Sequence, residues 1–267
     1  MGYSRFYDKL IVAKVELVND NVIVKVVEDV LAKEYVVSIS VNGFEIRRYI
    51  ISEDMIKEFI VGNLYSMGLI RNLEEIREII VNKNKVDVKV DSEALKRMTV
   101  FAIAPSCGEQ VIPEEEKPLK VDVKVKVYVK EVLEAIKQLF EKSKIFKITG
   151  GVHTASLYSF IESRTLVTVE DLGRHSAVDK VIGWGLLRNI DFSHIAIVTS
   201  GRVFSDMVAK AVRAGIPLII SKSAPSYEAV LKAREHGITL VGFARGNRFN
   251  VYSEPYRIAE LEKIKLR

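Results

Sequence analysis

The chain has 267 residues, of which 48% are hydrophobic and 28% charged, and its formal net charge is +5. This composition is typical of a globular protein with one large domain or two ordinary ones, and it excludes a disordered chain. Its single cysteine excludes an intramolecular disulfide and a multi-cysteine zinc site. No apolar run is long enough to cross a bilayer, and no signal-peptide core follows the start, so we expect a cytoplasmic protein without a membrane partner.

Residues 1–125 predict a β-rich domain with one main helix. The helix is predicted from Ser52, as N-cap, to about residue 67, because apolar residues recur there at helical spacing. The hexapeptide KVDVKV occurs at 85–90 and again at 120–125, and both copies predict half-exposed strands. The other predicted strands are 10–18, 22–27, 35–41, the segment after the VNG turn at 41–43, 76–82 and 98–104.

The only cysteine, Cys107, lies in a predicted loop over residues 104–119, between the two KVDVKV segments. Cysteines are usually buried and inert. The neighbours here, in the sequence APSCGEQ, offer no apolar pocket, so an exposed and reactive thiol is the favoured interpretation. No second cysteine and no evident base lie nearby in the sequence.

Residues 126–267 predict an α/β domain, because helices and strands alternate with short connections. This alternation favours a mostly parallel sheet with helices packed on it. A helix is predicted at 131–142 and another after the pair Gly150-Gly151, which places His153 at a helix start, where a neutral imidazole is preferred. A strand over TLVTVED and a helix over 174–189 follow, and then strands IAIVTS, IPLIIS and ITLVGFA, each separated from the next by a helix.

Three successive strand ends carry small hydroxyl residues, glycines and cations, and ligands bind beyond the carboxyl ends of such strands. Free N–H groups at helix starts, together with Arg or Lys, favour phosphate, so we predict a phosphate-bearing ligand at this edge rather than simple helix capping. The residues concerned are Ser200, Gly201 and Arg202, then Ser221, Lys222 and Ser223, then Phe243, Ala244, Arg245, Gly246, Asn247 and Arg248.

The segment EDLGRHSAVDK at 170–180 carries a second group of candidates. If the segment is helical, Asp171, His175 and Asp179 share one face at spacings of four residues. One carboxylate could then fix the tautomer of the imidazole. Two carboxylates and one histidine seldom hold a metal alone, so no metal site is predicted. A purely structural alternative stays open, in which Asp171 caps the helix and Asp179 pairs with Lys180 or a distant cation.

Four long motifs in this order resemble the formate dehydrogenase accessory sulfurtransferase (FdhD) family. They are TGGVHTAS, EDLGRHSAVDKVIGW, TSGRVFSDMVAKAVRAGIPLIISKSAPS and GITLVGFARGNRFNVYS. The resemblance extends from about residue 35 to 253 and implies a cytidine-deaminase-like α/β/α domain at 126–267. It further implies a sulfur carrier that accepts persulfide sulfur from a cysteine desulfurase. The sulfur would pass to the molybdenum or tungsten bis(molybdopterin guanine dinucleotide) cofactor needed by formate dehydrogenase.

Carried over by position, the resemblance makes Cys107 the persulfide carrier and 243–248 a cofactor-binding stretch. We further expect His153, Asp171 and His175 to line the pocket, without assigned proton-transfer roles. Many family members have a second cysteine where this chain has Gln110, so a step that needs two thiols is not expected here. This difference keeps open a cofactor-binding chaperone that transfers no sulfur. Nucleic-acid binding is not predicted. Only the basic net charge supports it, and the sequence shows no interleaved aromatic and basic residues of the kind that bind nucleic acids. A paired-nucleotide cofactor suggests a homodimer.

Overall fold

The computed structural model describes residues 5–96 and 120–266, which form three β-sheets and six labelled helices. A further short helix covers residues 92–96. The strands are β1 (Tyr7–Val18), β2 (Asn21–Ala32), β3 (Tyr35–Val41), β4 (Phe44–Ile51), β5 (Ile76–Asn82), β6 (Lys85–Val90), β7 (His153–Ser159), β8 (Arg164–Asp171), β9 (Ile195–Thr199), β10 (Leu218–Ser221), β11 (Thr239–Arg245) and β12 (Arg248–Ser253). The helices are α1 (Ile56–Ser66), α2 (Val129–Lys142), α3 (Lys144–Thr149), α4 (Arg174–Leu186), α5 (Ser205–Ala214) and α6 (Tyr227–His236). Within the described ranges, no helix is long and apolar enough to span a bilayer.

The larger sheet has the order β12-β11-β10-β9-β7-β8. Only β9, β10 and β11 run parallel to one another, and β7, β8 and β12 pair antiparallel to their neighbours. The mixed α/β class is therefore confirmed, while the prediction of a mostly parallel sheet is wrong. The reason is local: β7 to β8 and β11 to β12 are joined by short turns, and strands joined in this way can pair only antiparallel.

The smaller sheet has the order β4-β3-β6-β5 and packs one face against α1. The strand predictions for 35–41, 76–82 and the first KVDVKV copy are confirmed. The second copy at 120–125 is not a strand, contrary to prediction. Two of its carbonyl groups instead accept hydrogen bonds from a fully buried arginine: Arg257 donates from Nη2 to the oxygen of Val121 at 2.9 Å and from Nε to that of Val123 at 3.1 Å.

Two further predictions near helix starts are wrong. Ser52 does not cap α1, which begins at Ile56 after Met55 in the left-handed region (φ 47°). The backbone of Ser52 is committed elsewhere: its N–H donates to Asp171 Oδ2 at 3.2 Å, and its carbonyl accepts from Lys180 Nζ at 3.0 Å. The segment after Gly150-Gly151 is strand β7 rather than a helix, and the helix in this region, α3, precedes the glycine pair.

Helices α1 and α4 cross in close contact and join the smaller sheet to the larger one. Gly62 and Gly183 lie at the crossing, and a Cβ on either would lie closer than 3.0 Å to backbone atoms of the other helix. The crossing also holds buried charge, since Lys210 Nζ lies 2.5 Å from Asp179 Oδ1 and Asn63 donates to the other oxygen at 2.9 Å. The predicted domain division at 125/126 and the cytidine-deaminase-like arrangement stay predictions.

Candidate functional site

The carboxyl ends of the three parallel strands lie side by side, and the turns after them are hydrogen-bonded to each other. Ser221 Oγ donates to the carbonyl oxygen of Gly201 at 2.7 Å, and Ser223 Oγ donates to that of Ser200 at 3.0 Å. Arg245 Nε donates to the carbonyl oxygen of Lys222 at 2.9 Å. The three strand ends predicted from the sequence therefore meet at one edge, as expected. Several of the hydroxyls serve to fix the turns and are not free for a ligand.

The larger cavity at this edge has a volume of about 730 Å³ and lies between α2 and the ends of β10 and β11. This volume is within the usual range for small-molecule and cofactor sites. Two of its lining residues are in cation–π contact, with Lys222 Nζ 4.4 Å from the ring centre of Phe140. The lining residues are Lys130, Leu133, Glu134, Ile136, Lys137, Phe140, Glu141, Lys147, Lys222, Ala244, Arg245, Gly246 and Asn247.

A second cavity of about 370 Å³ adjoins the first. Lys222 and Arg245 line both cavities, so two cations stand where the cavities meet. Neither cation has a carboxylate within ion-pair distance among the residues that the structure describes, and both charges are therefore available to an anion. The residues lining the second cavity are Phe146, Gly150, Gly151, Val152, His153, Leu172, Ser200, Lys222, Ser223 and Arg245.

His153 begins strand β7 and enters the smaller cavity. Its Nδ1 lies 3.4 Å from Ser200 Oγ, which also accepts a hydrogen bond from the Thr154 N–H at 3.0 Å. Burial lowers the pKa of His153 below its usual value, and the nearby charges of Arg174 and His175 lower that pKa further. A neutral imidazole was predicted from a helix start, and the structure gives burial and nearby cations as the causes instead.

The predicted alignment of Asp171, His175 and Asp179 on one helix face is wrong. Asp171 ends strand β8, where it is fully buried and lies 2.7 Å from Lys180 Nζ. Burial raises the pKa of its carboxyl, an effect that Lys180 partly offsets. Asp179 is likewise buried and pairs with the distant cation Lys210, as the structural alternative supposed. Both carboxylates therefore hold the fold together rather than face a ligand.

His175 remains near the edge of the site, and its Nε2 lies 2.7 Å from Asp206 Oδ2. Burial raises the pKa of Asp206, but the contact with His175, the Met207 N–H and the charge of Lys210 together outweigh burial, so that the pKa is lowered overall. Next to this pair, the guanidinium groups of Arg174 and Arg202 lie 5.2 and 5.0 Å from the ring centre of Phe204. Sequence reasoning missed Arg174 and Phe204, although Arg174 follows directly after a glycine at a helix start.

Several predicted residues line neither cavity. Ser221 is fully buried, and Gly201 packs against Arg174. Phe243 lies on a β-bulge with φ 52°, an uncommon conformation for a bulky residue, with its N–H donating to the Ser223 oxygen at 3.1 Å. The others that line neither cavity are Arg202, Arg248 and His175. Cys107, with its predicted loop 104–119, and the predicted strand at 98–104 lie outside the described residues.

The cavity-lining contribution of α2 was also missed. The sequence marks this helix only as amphipathic, which is equally typical of a helix that simply covers a sheet. The exposed side of α2 brings Lys130, Lys137 and the aromatic Phe140 to the larger cavity. Only the tertiary position of the helix reveals this role.

The fold and the two cavities define a mixed α/β protein with a cation-lined edge at the ends of its parallel strands. A family model described as the FdhD/NarQ family matches residues 32–259, and the chain belongs to this family. It is 35% identical to the sulfur carrier protein FdhD of Methanothermobacter thermautotrophicus, with 88% of this chain and 91% of that protein covered. It is also 35% identical to the protein of the same name from Bacillus subtilis, with 88% and 92% covered.

A solved structure has the same fold as this chain. The crystal structure of a protein assigned as a formate dehydrogenase accessory protein from Desulfotalea psychrophila superimposes with a TM-score of 0.75. The two chains are 30% identical, and the match covers 94% of this chain and 99% of the other. The family resemblance predicted from the four motifs is therefore confirmed.

Proposed function

We propose that this protein is a sulfur carrier for the maturation of formate dehydrogenase, acting as a sulfurtransferase through Cys107. Membership of the FdhD/NarQ family supports this role, as do the names of relatives that match over most of their length. The single cysteine limits the chemistry to one thiol of the protein's own. The partners are a cysteine desulfurase as sulfur donor and formate dehydrogenase as the final recipient of the finished cofactor.

Sulfur enters by thiol–persulfide exchange. The Cys107 thiolate attacks the outer sulfur of the desulfurase persulfide, the bond to the desulfurase breaks, and the desulfurase cysteine leaves as a thiolate. Cys107 then carries the persulfide. In the second step the outer sulfur passes to the metal of the bis(molybdopterin guanine dinucleotide) cofactor as sulfide, the metal supplies two electrons, and Cys107 leaves as a thiolate. Molybdenum and tungsten are both compatible with this step.

The cofactor is a substrate, and the observation that supports its site is the pair of cations where the two cavities meet. Lys222 and Arg245 can neutralise a diphosphate there, because neither is already paired with a carboxylate in the described part of the chain. Phe140, whose ring also contacts Lys222, lines the larger cavity and can contact a purine there. The smaller cavity leads past Gly151 to His153, whose neutral imidazole can hydrogen-bond without adding charge.

Guanosine diphosphate tests this site directly. Lys222→Ala should weaken its binding about 10-fold, because one charge-assisted phosphate contact is lost. Isothermal titration calorimetry of the wild type and the variant measures the change. Lys85→Ala removes an exposed lysine from the smaller sheet and serves as the matched control, with affinity expected to stay at the wild-type value. Equal affinities for the wild type and Lys222→Ala would contradict the placement of the diphosphate.

A cell-based experiment separates sulfur transfer from the alternative, a chaperone that only holds the cofactor. The protein is expressed with a formate dehydrogenase in a host that lacks its own accessory protein, and dehydrogenase activity is measured. We expect Cys107→Ala to abolish activation, while Ser106→Ala, on the neighbouring residue, retains it. Full activation by Cys107→Ala would instead support the chaperone. The chaperone is the alternative because this chain has Gln110 in place of a second cysteine.

A further inference from the structure

His153 lines the smaller cavity from the first position of β7, and its two ring nitrogens have different surroundings. Nδ1 lies 3.4 Å from Ser200 Oγ, within hydrogen-bond distance. Nε2 has no hydrogen-bond partner among the residues that the structure describes. A neutral imidazole carries a proton on only one of its two nitrogens, so the contact with Ser200 decides whether Nε2 offers a donor or an acceptor to a ligand.

Ser200 is held firmly in the turn after β9. Its N–H donates to the Thr154 carbonyl oxygen at 2.9 Å, and the Thr154 N–H donates back to Ser200 Oγ at 3.0 Å. The carbonyl oxygen of Ser200 accepts from Ser223 Oγ at 3.0 Å, and the residue is only 8% exposed. These bonds fix the position of the Ser200 hydroxyl beside His153.

The Ser200 hydroxyl has one proton to donate, and in the described ranges its one acceptor is His153 Nδ1. The Thr154 N–H already uses Oγ as an acceptor, and no carbonyl or carboxylate oxygen of the described residues accepts from it. If Nδ1 carried the ring proton, it would donate to Oγ and leave the hydroxyl proton unpaired in a nearly buried turn. If Nδ1 is unprotonated, the hydroxyl donates to it and both groups are satisfied.

The charges around His153 favour the same arrangement. Burial lowers the pKa of His153, and the charges of Arg174, His175 and Arg202 lower it further, so the ring is neutral and has a single N–H. Lys222 and Arg245 line the same cavity and favour a negatively charged ligand there. A bare nitrogen lone pair would repel such a ligand, whereas an N–H attracts it.

We infer that Ser200 is a positioning residue: its hydroxyl donates to His153 Nδ1 and fixes the tautomer that offers the Nε2–H to the smaller cavity. The ligand group that binds beside His153 is therefore a negatively charged hydrogen-bond acceptor. A group that can only donate is rejected, because two N–H groups would face each other. The consequence for sulfur transfer rests on the proposed function, while the tautomer is a property of the protein without ligand.

NMR spectroscopy of the full chain with ¹⁵N-labelled histidine tests the tautomer. The chain has four histidines, and His153→Gln identifies the signals of His153 by removing them. The couplings between the carbon-bound ring protons and the two nitrogens should show the Nε2–H form in the wild type at pH 7. Ser200→Ala should lower the ratio of Nε2–H to Nδ1–H about 5-fold, the effect of one neutral hydrogen bond.

Ser200→Thr keeps the hydroxyl and is the matched control, with the wild-type tautomer expected. The spectrum of the wild type tests the assignment even if a variant does not fold, and circular dichroism checks the folding of each variant. An Nδ1–H form in the wild type, or an unchanged tautomer ratio in folded Ser200→Ala, would overturn the inference.

Activation of formate dehydrogenase in the cell-based experiment tests the donor itself. Gln places an amide N–H near the position of Nε2, whereas Met has a similar size and no donor. We expect His153→Gln to retain activation and His153→Met to lose most of it. Equal activation by these two variants would contradict the donor role of His153. A failure of sulfur transfer through Cys107 would be seen separately, in Cys107→Ala, and would leave the NMR result standing.

Discussion

Replacing Gly62 by alanine should destabilise the protein by about 3 kcal/mol, because overpacking a tight contact forces backbones apart. The added Cβ would meet the Asp179 carbonyl group of α4, which is backbone and cannot rotate away. Gly183→Ala should act in the same way from the other helix, where the clash is with Glu58. The gain of about 1 kcal/mol in helix propensity is too small to compensate.

Thermal unfolding measures the effect, and a melting temperature lower by about 10 °C is expected for a protein of this size. Gly151→Ala is the matched control, since the nearest atom to its Cβ would be the Ala32 side chain at 3.3 Å. That control should change the free energy of unfolding by less than about 1 kcal/mol. If Gly62→Ala melts together with the wild type, the close crossing of α1 and α4 does not exist in solution.

The second large effect is expected from Lys210→Met. This substitution leaves the Asp179 carboxylate buried with Asn63 as its remaining side-chain partner, and uncompensated buried charge costs about 3–5 kcal/mol. Both side chains of the ion pair are only 1% exposed, so solvent cannot replace the lost cation. Chemical denaturation at pH 7 measures the loss of free energy of unfolding.

Two comparisons isolate the cause. The double variant Asp179→Asn/Lys210→Met removes the charge as well as its partner and should recover much of the loss. Lys137→Met removes an exposed lysine whose nearest carboxylate is 3.4 Å away, and it should cost less than about 1 kcal/mol. If Lys210→Met is as stable as Lys137→Met, loss of the lysine does not leave an uncompensated buried charge on Asp179. That result would contradict the role given to this ion pair.

Local patterns were sufficient for most of the secondary structure. Apolar and β-branched residues predicted 35–41 as a strand, alternation of valine with charged residues predicted 85–90, and 76–82 was predicted as a further strand; the structure confirms these bounds. The failures occur where a distant residue decides the backbone conformation. The second KVDVKV copy has the same letters as the first, yet its carbonyls bind Arg257, and Ser52 bonds Asp171 and Lys180 instead of capping a helix. No window around 52 or 120 contains that information.

For the candidate site, too, local sequence predicted some features and distant contacts decided the others. The sequence placed Lys222 and Arg245 at one edge, because consecutive parallel strands bring their carboxyl ends together. It could not tell which hydroxyls would be consumed inside the turns, as Ser221 is. It also left open whether Asp179 shares a functional helix face with His175 or pairs with a distant cation, and the structure pairs this carboxylate with a lysine of another helix. Partners from separate helices cannot be read from spacing alone.

The persulfide itself is the most direct test of the sulfur-carrier proposal. The protein is incubated with a cysteine desulfurase and free cysteine, and its intact mass is then measured with and without a thiol reductant. The wild type should gain the mass of at least one sulfur atom, lose it on reduction, and yield a modified peptide that contains Cys107. Cys107→Ala should gain none. An unmodified wild type, or a Cys107→Ala variant that gains the same reductant-sensitive mass, would contradict sulfur transfer through Cys107.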